Sequence, residues 1–134
     1  MESVMLAQKQ AKALEDVLEN SEWLTAEEIS ERGKFSPSNL AAPASRWKQE
    51  GKIFALRYQG QYRFPRYGLD GAFRPLPALE SVLKLLGPIS PWRIAVWFES
   101  TNARLDTRRP RELLSNKPER VQRAAESYRN AGHG

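Results

Sequence analysis

The chain has 134 residues, 40% hydrophobic and 28% charged, with a net charge of +5 and a pI near 9.7. That length builds one domain or two very small ones. The charge suits an anionic partner without identifying it, and the absence of cysteine excludes disulfides and thiolate metal sites.

The first 36 residues are acidic, with four basic and eight acidic side chains. Val4, Ala7, Ala11, Leu14 and Leu18 recur at three- and four-residue steps, which predicts an amphipathic helix over 4–19 that packs on the domain after it. Trp23-Leu24-Thr25 then opens a second helix. Thr25 stands three residues before Glu28, a capping-box spacing, Ile29 points inward, and Gly33 ends the helix. Phe35 and Leu40 are expected to fill the space before the next helix.

Between residues 37 and 74 the balance reverses to seven basic and two acidic side chains. Asn39 is the expected N-cap of a third helix, with Pro43 at its fourth position, where no intrahelical hydrogen bond is lost. Leu40, Ala44 and Trp47 then share the core face. Ala42, Ser45, Arg46 and Gln49 form the exposed one. After Gly51, Ile53–Tyr58 and Gln61–Phe64 alternate about Gln59-Gly60, which predicts a two-residue β-hairpin ended by Pro65. Arg57, Tyr58, Tyr62 and Arg63 border its turn. From Asn39 to Arg66 the cations are Arg46, Lys48, Lys52, Arg57, Arg63 and Arg66, against Glu50 alone. A positive helix followed by a positive hairpin suits a helix in a DNA groove with a wing on the phosphates.

Residues 68–77, with two Gly and two Pro, read as a linker between a region 1–70 and a region 71–134. Beyond it the pattern is helical. Leu79, Val82, Leu83 and Leu86 form one stripe. Ser90-Pro91 is an N-cap followed by Pro at the first helical position, opening a helix with Trp92, Ile94, Ala95, Trp97 and Phe98. Pro110–Leu114 is a short helix, and Lys117-Pro118 opens a last one with Val121, Ala124, Ala125 and Tyr128. The single histidine, His133, lies in a Gly-His-Gly tail and is expected to be disordered. The expected fold is therefore mainly α with one β-hairpin: a winged helix-turn-helix followed by a small helical bundle.

These residues carry two resemblances. Trp23-Leu-Thr-Ala-Glu-Glu-Ile, Arg46-Trp47, Glu50-Gly51-Lys52 and Arg63-Phe64-Pro65 resemble the MerR- and excisionase-like winged helix-turn-helix. This implies that Ser45, Arg46 and Lys48 approach double-stranded DNA while Trp47 anchors the core. Together with the exposed-face and hairpin readings, the DNA-facing set is Ser45, Arg46, Lys48, Gln49, Arg57, Tyr62, Arg63 and Arg66. Trp97, Asn102, Leu105, Pro110, Glu112, Leu113 and Leu114 resemble the toxin-binding domain of Xre/MbcA/ParS-type antitoxins, with Asp106-Thr107 where that family often has two glycines and Arg109 where it has a capping Thr. The second resemblance implies a homodimer that binds a cognate toxin, often of the NAD-depleting RES class. Arg120, Arg123, Tyr128 and Arg129 of the last helix are the candidate toxin contacts, because Tyr and Arg commonly anchor interfaces.

The expected function is thus an autoregulating antitoxin. A stand-alone DNA-binding transcription regulator or excisionase-like accessory factor is the alternative. An enzyme is not expected. There is no cysteine, no phosphate-binding Gly loop and no metal-spaced cluster, and Glu27-Glu28 sits in a helix's first turn, where acids favour the dipole. No cofactor is expected. No apolar run could span a bilayer and the N-terminus lacks a signal-peptide core, so a cytoplasmic protein without a membrane partner is expected.

Overall fold

A computed structural model describes the chain from residue 2 to residue 132. The protein is mainly helical, with a small three-stranded antiparallel sheet in the order β1-β3-β2. Helix α1, Glu2–Asn20, buries Val17 and half-buries Leu14 and Leu18 against α5 (Pro91–Glu99). The expected stripe is corrected in two places. Ala11 is exposed, and Val17, beside Leu18 and off the expected register, is the residue that reaches the core. The side chains of Val4 and Ala7 lie outside the described residues, as does His133.

Trp23–Leu24 is a strand, β1, rather than the lead-in to a helix. Two residues are too few to show alternation, and the strand exists because Trp23 and Leu24 pair with Pro65 and Phe64 of β3. Helix α2, Ala26–Arg32, has the expected capping box: Thr25 Oγ1 accepts from the Glu28 amide at 3.2 Å, and Glu28 Oε1 accepts from the Thr25 amide at 2.9 Å. That backbone hydrogen bond is the main reason the Glu28 carboxyl titrates below its ordinary value. Gly33 ends the helix in a right-handed conformation, and Lys34 takes the left-handed one, at φ 58°. A Cβ at 33 would lie 2.7 Å from the ring of Phe35 and 3.0 Å from the Ile29 carbonyl, so a larger residue there would displace the ring.

Helix α3 runs from Ala42 to Gln49. Asn39 caps the turn before it: its Oδ1 accepts from the Ala41 amide and its carbonyl from the Ala42 amide. Pro43 is therefore in the first turn at the second position, not the fourth, where the missing amide costs no bond. Residues 33–41 between α2 and α3 are longer than the three- or four-residue turn typical of the motif. Ser30 Oγ fastens this connection by donating to the Leu40 carbonyl at 2.6 Å. The Leu40 side chain is 39% exposed and does not fill the core, because the late helix start leaves it in the turn. The far end of α3 closes in a Schellman motif. The Lys52 amide reaches the Trp47 carbonyl, the Gly51 amide reaches that of Lys48, and Gly51 sits at φ 76°.

The hairpin pairs β2, Leu56–Tyr58, with β3, Gln61–Pro65. Gln59 and Gly60 both have positive φ, the type I′ geometry whose twist suits a two-residue loop. Ile53, Phe54 and Ala55 are buried but lie outside the strand, so β2 is shorter than the alternation suggested. Pro65 ends pairing with β2 yet still faces Trp23 across β1.

Residues 68–77 are folded back on themselves rather than extended. Leu69 bridges Pro75, and the Leu76 amide donates to the Gly68 carbonyl. Beyond this turn come four helices, α4 (Pro77–Leu86), α5, α6 (Pro110–Leu113) and α7 (Pro118–Asn130), each with Pro at its start. α7, which buries Val121, Ala124 and Ala125, packs on α4, which buries Leu79, Val82 and Leu86. Both expected regions contribute to one continuous core. At its centre Phe54 stacks on Phe98, with ring centroids 5.9 Å apart and planes 11° apart, and Tyr67 leans on Phe98 at 5.2 Å.

Candidate functional site

Helix α3 presents two unlike faces. Ala44 and Trp47 are buried, with Trp47 edge-on to Phe35 at 5.9 Å. Ser45, Arg46 and Gln49 are exposed as expected, and Lys48 is half-buried. At about 100° per residue the exposed arc runs Arg46, Gln49, Ser45, Lys48, spanning about 160°. Uncharged hydrogen-bonding side chains occupy its middle and a cation stands at each edge.

The hairpin is tied to this arc through Tyr62. The type I′ turn sets a register in which Arg57 faces Tyr62 across the strands. The Arg57 guanidinium lies 5.2 Å from the Tyr62 ring centroid, and Lys48 Nζ reaches the same ring at 4.4 Å. One aromatic ring thus holds one cation from the helix and one from the wing, each within cation–π range. A one-residue slip of the hairpin would turn Tyr62 away and dismantle the cluster. Ser45 and Tyr62 line a common cleft with Thr25, Ala26 and Glu27 at the start of α2.

Arg63 and Arg66 are placed differently from the rest of the expected DNA-facing set. Successive strand residues point to opposite faces, so Arg63 is turned away from Tyr62. Its Nε is buried, and its charge adds slightly to the lowering of Glu28. Arg66 donates from Nη1 to the Leu69 carbonyl at 2.9 Å and packs its guanidinium over Phe73 at 4.3 Å, bracing the 68–77 turn. Two cations missing from the expected set, Lys34 and Arg74, stand around the same cleft as Arg46. They come from loops distant in sequence, so no spacing rule reveals them.

The cations of α3 and the hairpin also differ in pairing from those of the C-terminal half. Among the described residues, no carboxylate forms an ion pair with Lys34, Arg46, Lys48, Arg57 or Arg74. Arg108 and Arg109 pair with Glu112, Arg111 with Glu99, and Arg120 with Asp106. The Arg108 guanidinium is the first cause holding the Glu112 carboxyl below its ordinary value. The loop around α6 thus neutralises much of its own positive charge, whereas around α3 only Lys52, just past its end, meets a carboxylate, that of Glu50 at 3.6 Å.

In the helical half, three of the four candidate contacts on α7 have partners at home. Arg120 donates to Asp106 Oδ2 at 2.9 Å. Tyr128 accepts from Arg93 Nη2 at 3.2 Å and meets Trp97 edge-on. Arg129 donates to the Lys84 carbonyl near the end of α4, with its guanidinium against Gly87. Arg123 is exposed. Before α6, Asn102 organises a tight loop. Its Oδ1 accepts from the Arg104 amide and its carbonyl from the amides of Leu105 and Thr107, while Leu105 is fully buried. Asp106 and Thr107 both adopt left-handed backbone, at φ 57° and 62°. Arg109 does not cap α6 with its side chain but donates from Nε to the Glu99 carbonyl at 2.8 Å. The Glu99 carboxylate is nearly buried and accepts from Ser21 Oγ and Arg111 Nε, tying the end of α1 to α5 and α6.

Among the described residues no cluster of three His, Asp or Glu side chains is arranged to hold a metal, and no helix is long and apolar enough to cross a membrane. No family model, curated protein or solved structure matches this chain.

Proposed function

We propose that this protein is a DNA-binding antitoxin of a type II toxin–antitoxin pair. In this reading α3 and the hairpin hold operator DNA, and the helical half blocks a cognate toxin, RES-class toxins being those the resemblance implies. The observation that carries it is the backbone at Asp106-Thr107. Two consecutive left-handed residues are rare without glycine, and they fall where the Xre/MbcA/ParS-type domain often has a glycine pair. The flanking Asn102, buried Leu105, Pro110 and Leu113-Leu114 stand in the order of that domain. The DNA-binding part is supported by the unpaired cations around α3 and by the Lys48–Tyr62–Arg57 cluster. Neutralisation needs no catalytic residue, because an interface that occludes the toxin suffices. The resemblance also implies a homodimer.

The stand-alone regulator is favoured by one observation: Arg120, Tyr128 and Arg129 already serve intramolecular contacts. Co-expression with the adjacent open reading frame separates the two. The antitoxin reading expects that product to be toxic alone, to be rescued by this chain and to co-purify with it. Arg123→Glu, at an exposed position, is expected to weaken rescue without changing melting or DNA binding. A neighbour that is harmless, or that neither binds nor is rescued, would hand the case to the regulator.

A further inference from the structure

The arc on α3 has a cation at each edge, and only the Lys48 edge is continued by the wing. At the Arg46 edge lies a cleft of about 380 Å3. Lys34, Arg46 and Arg74 line it together with Ser36, and Phe35 and Trp47 form its aromatic floor. Arg74 comes from the 68–77 turn. Its guanidinium lies over the Phe35 ring at 4.7 Å. The turn that delivers it is closed by Asp70, whose Oδ1 accepts from the amides of Ala72 and Arg74 and whose own amide donates to the Arg74 carbonyl at 2.8 Å. The acid nearest Arg74 in sequence is therefore hydrogen-bonded to backbone amides, and no carboxylate lines this cleft, although Glu80 lines the adjoining one that Arg74 and Trp47 share with Lys52. Lys34 sits directly after the C-terminus of α2, in left-handed backbone.

Three cations line one cleft that has no carboxylate in its wall, and one of them is braced on a ring. We infer that Lys34, Arg46 and Arg74 bind the phosphodiester backbone of duplex DNA on the flank of α3 opposite the wing. This rests on the DNA-binding reading above and deepens it. The duplex is gripped on two strands: Lys48 and Arg57 hold one phosphate run and the Lys34–Arg46–Arg74 cleft holds the other. Gln49 and Ser45, between the two cationic edges, face the base edges. Arg46 is then a positioning cation, and sequence preference belongs to Gln49 and Ser45.

The test is a titration of the full chain with two labelled duplexes, the DNA upstream of its own gene and an unrelated sequence, across a range of salt. Each phosphate contact contributes about 0.9 to the slope of log affinity against log salt. Arg74→Ala is expected to weaken both duplexes alike, several-fold at low salt, and to make the slope shallower by about one. Lys34→Ala, outside the Phe35 stack, is expected to do the same, which keeps the test valid if Arg74→Ala lowers the melting temperature. Gln49→Ala is expected to narrow the difference between the two duplexes and leave the slope unchanged. If the wild type binds with a steep slope and neither cation variant changes it, this second flank is overturned while the DNA-binding reading stands. If either cation variant weakens the upstream duplex selectively, the assignment to phosphates is overturned. If the wild type binds neither duplex at low salt, the DNA-binding reading fails and takes the flank with it.

Discussion

Trp47 lies on α3 nearly opposite Gln49, so one eight-residue helix both anchors in the core and presents a polar arc. Its ring meets Phe35 edge-on, and Phe35 in turn underlies Arg74, so the buried indole also supports the basic cleft. Trp47→Ala is expected to cost about 3–5 kcal/mol by opening a cavity under the helix. DNA affinity should then fall in step with the fraction unfolded in a urea titration. A variant that melts like the wild type yet loses DNA affinity would place the indole on the DNA side and reverse the two faces of α3. The contrast between Arg57 and Arg66 is made at the same scale. Both are arginines near the hairpin, but one rests on an exposed ring and the other is hydrogen-bonded to a carbonyl, a difference that residue type and spacing do not carry.

Helix and strand types were legible wherever the local chemistry decides them. The Thr25–Glu28 box, the Pro-started helices and the stripe of α4 all form as the residues dictate. The start of α3 was not, because Asn39 is equally able to cap a helix or a turn, and only the docking of the Leu40 carbonyl on Ser30 selects the turn. The loop before α6 allows a direct test at this level. A left-handed β-branched residue is strained by about 1–2 kcal/mol, and glycine removes that strain while adding some unfolded-state freedom. Thr107→Gly is therefore expected to raise stability by about 0.5–1 kcal/mol, read as an increase in melting temperature with unchanged helical content. A decrease would mean that the contacts of the Thr107 side chain, whose hydroxyl donates to the Asp106 carbonyl at 2.6 Å, outweigh the backbone strain.

Across the whole molecule, the Phe54–Phe98 stack joins the segment before the hairpin to the helical half, and the Ser21–Glu99–Arg111 link joins the end of α1 to it. A core continuous across the 68–77 turn predicts one cooperative unfolding transition. Phe98→Ala is expected to cost about 3–5 kcal/mol and to lower the melting of the whole chain at once, with far-UV circular dichroism and tryptophan fluorescence coinciding. Two separated transitions, only one of them shifted, would show that the halves fold independently. The turn at 68–77 acts in this architecture as a packed corner. Gly68 allows close approach of Leu79, where a Cβ would stand 2.7 Å away, and Arg74 is carried to the edge of α3.

The sequence by itself determined the secondary-structure class, the hairpin turn, most helix starts, the buried face of Trp47 and the concentration of positive charge after residue 37. These depend on periodicity, capping and φ preferences within a few residues. Tertiary structure alone decided β1, the inward shift to Val17, the internal contacts of Arg66, Arg120 and Arg129, and the meeting of Lys34 with Arg74 beside Arg46. All but the contacts of Arg66, which reach Leu69 and Phe73 within one folded turn, depend on a partner far along the chain. A long basic side chain can reach a carbonyl, a carboxylate, a ring or solvent with little difference in local energy, so packing of the surrounding elements selects among them.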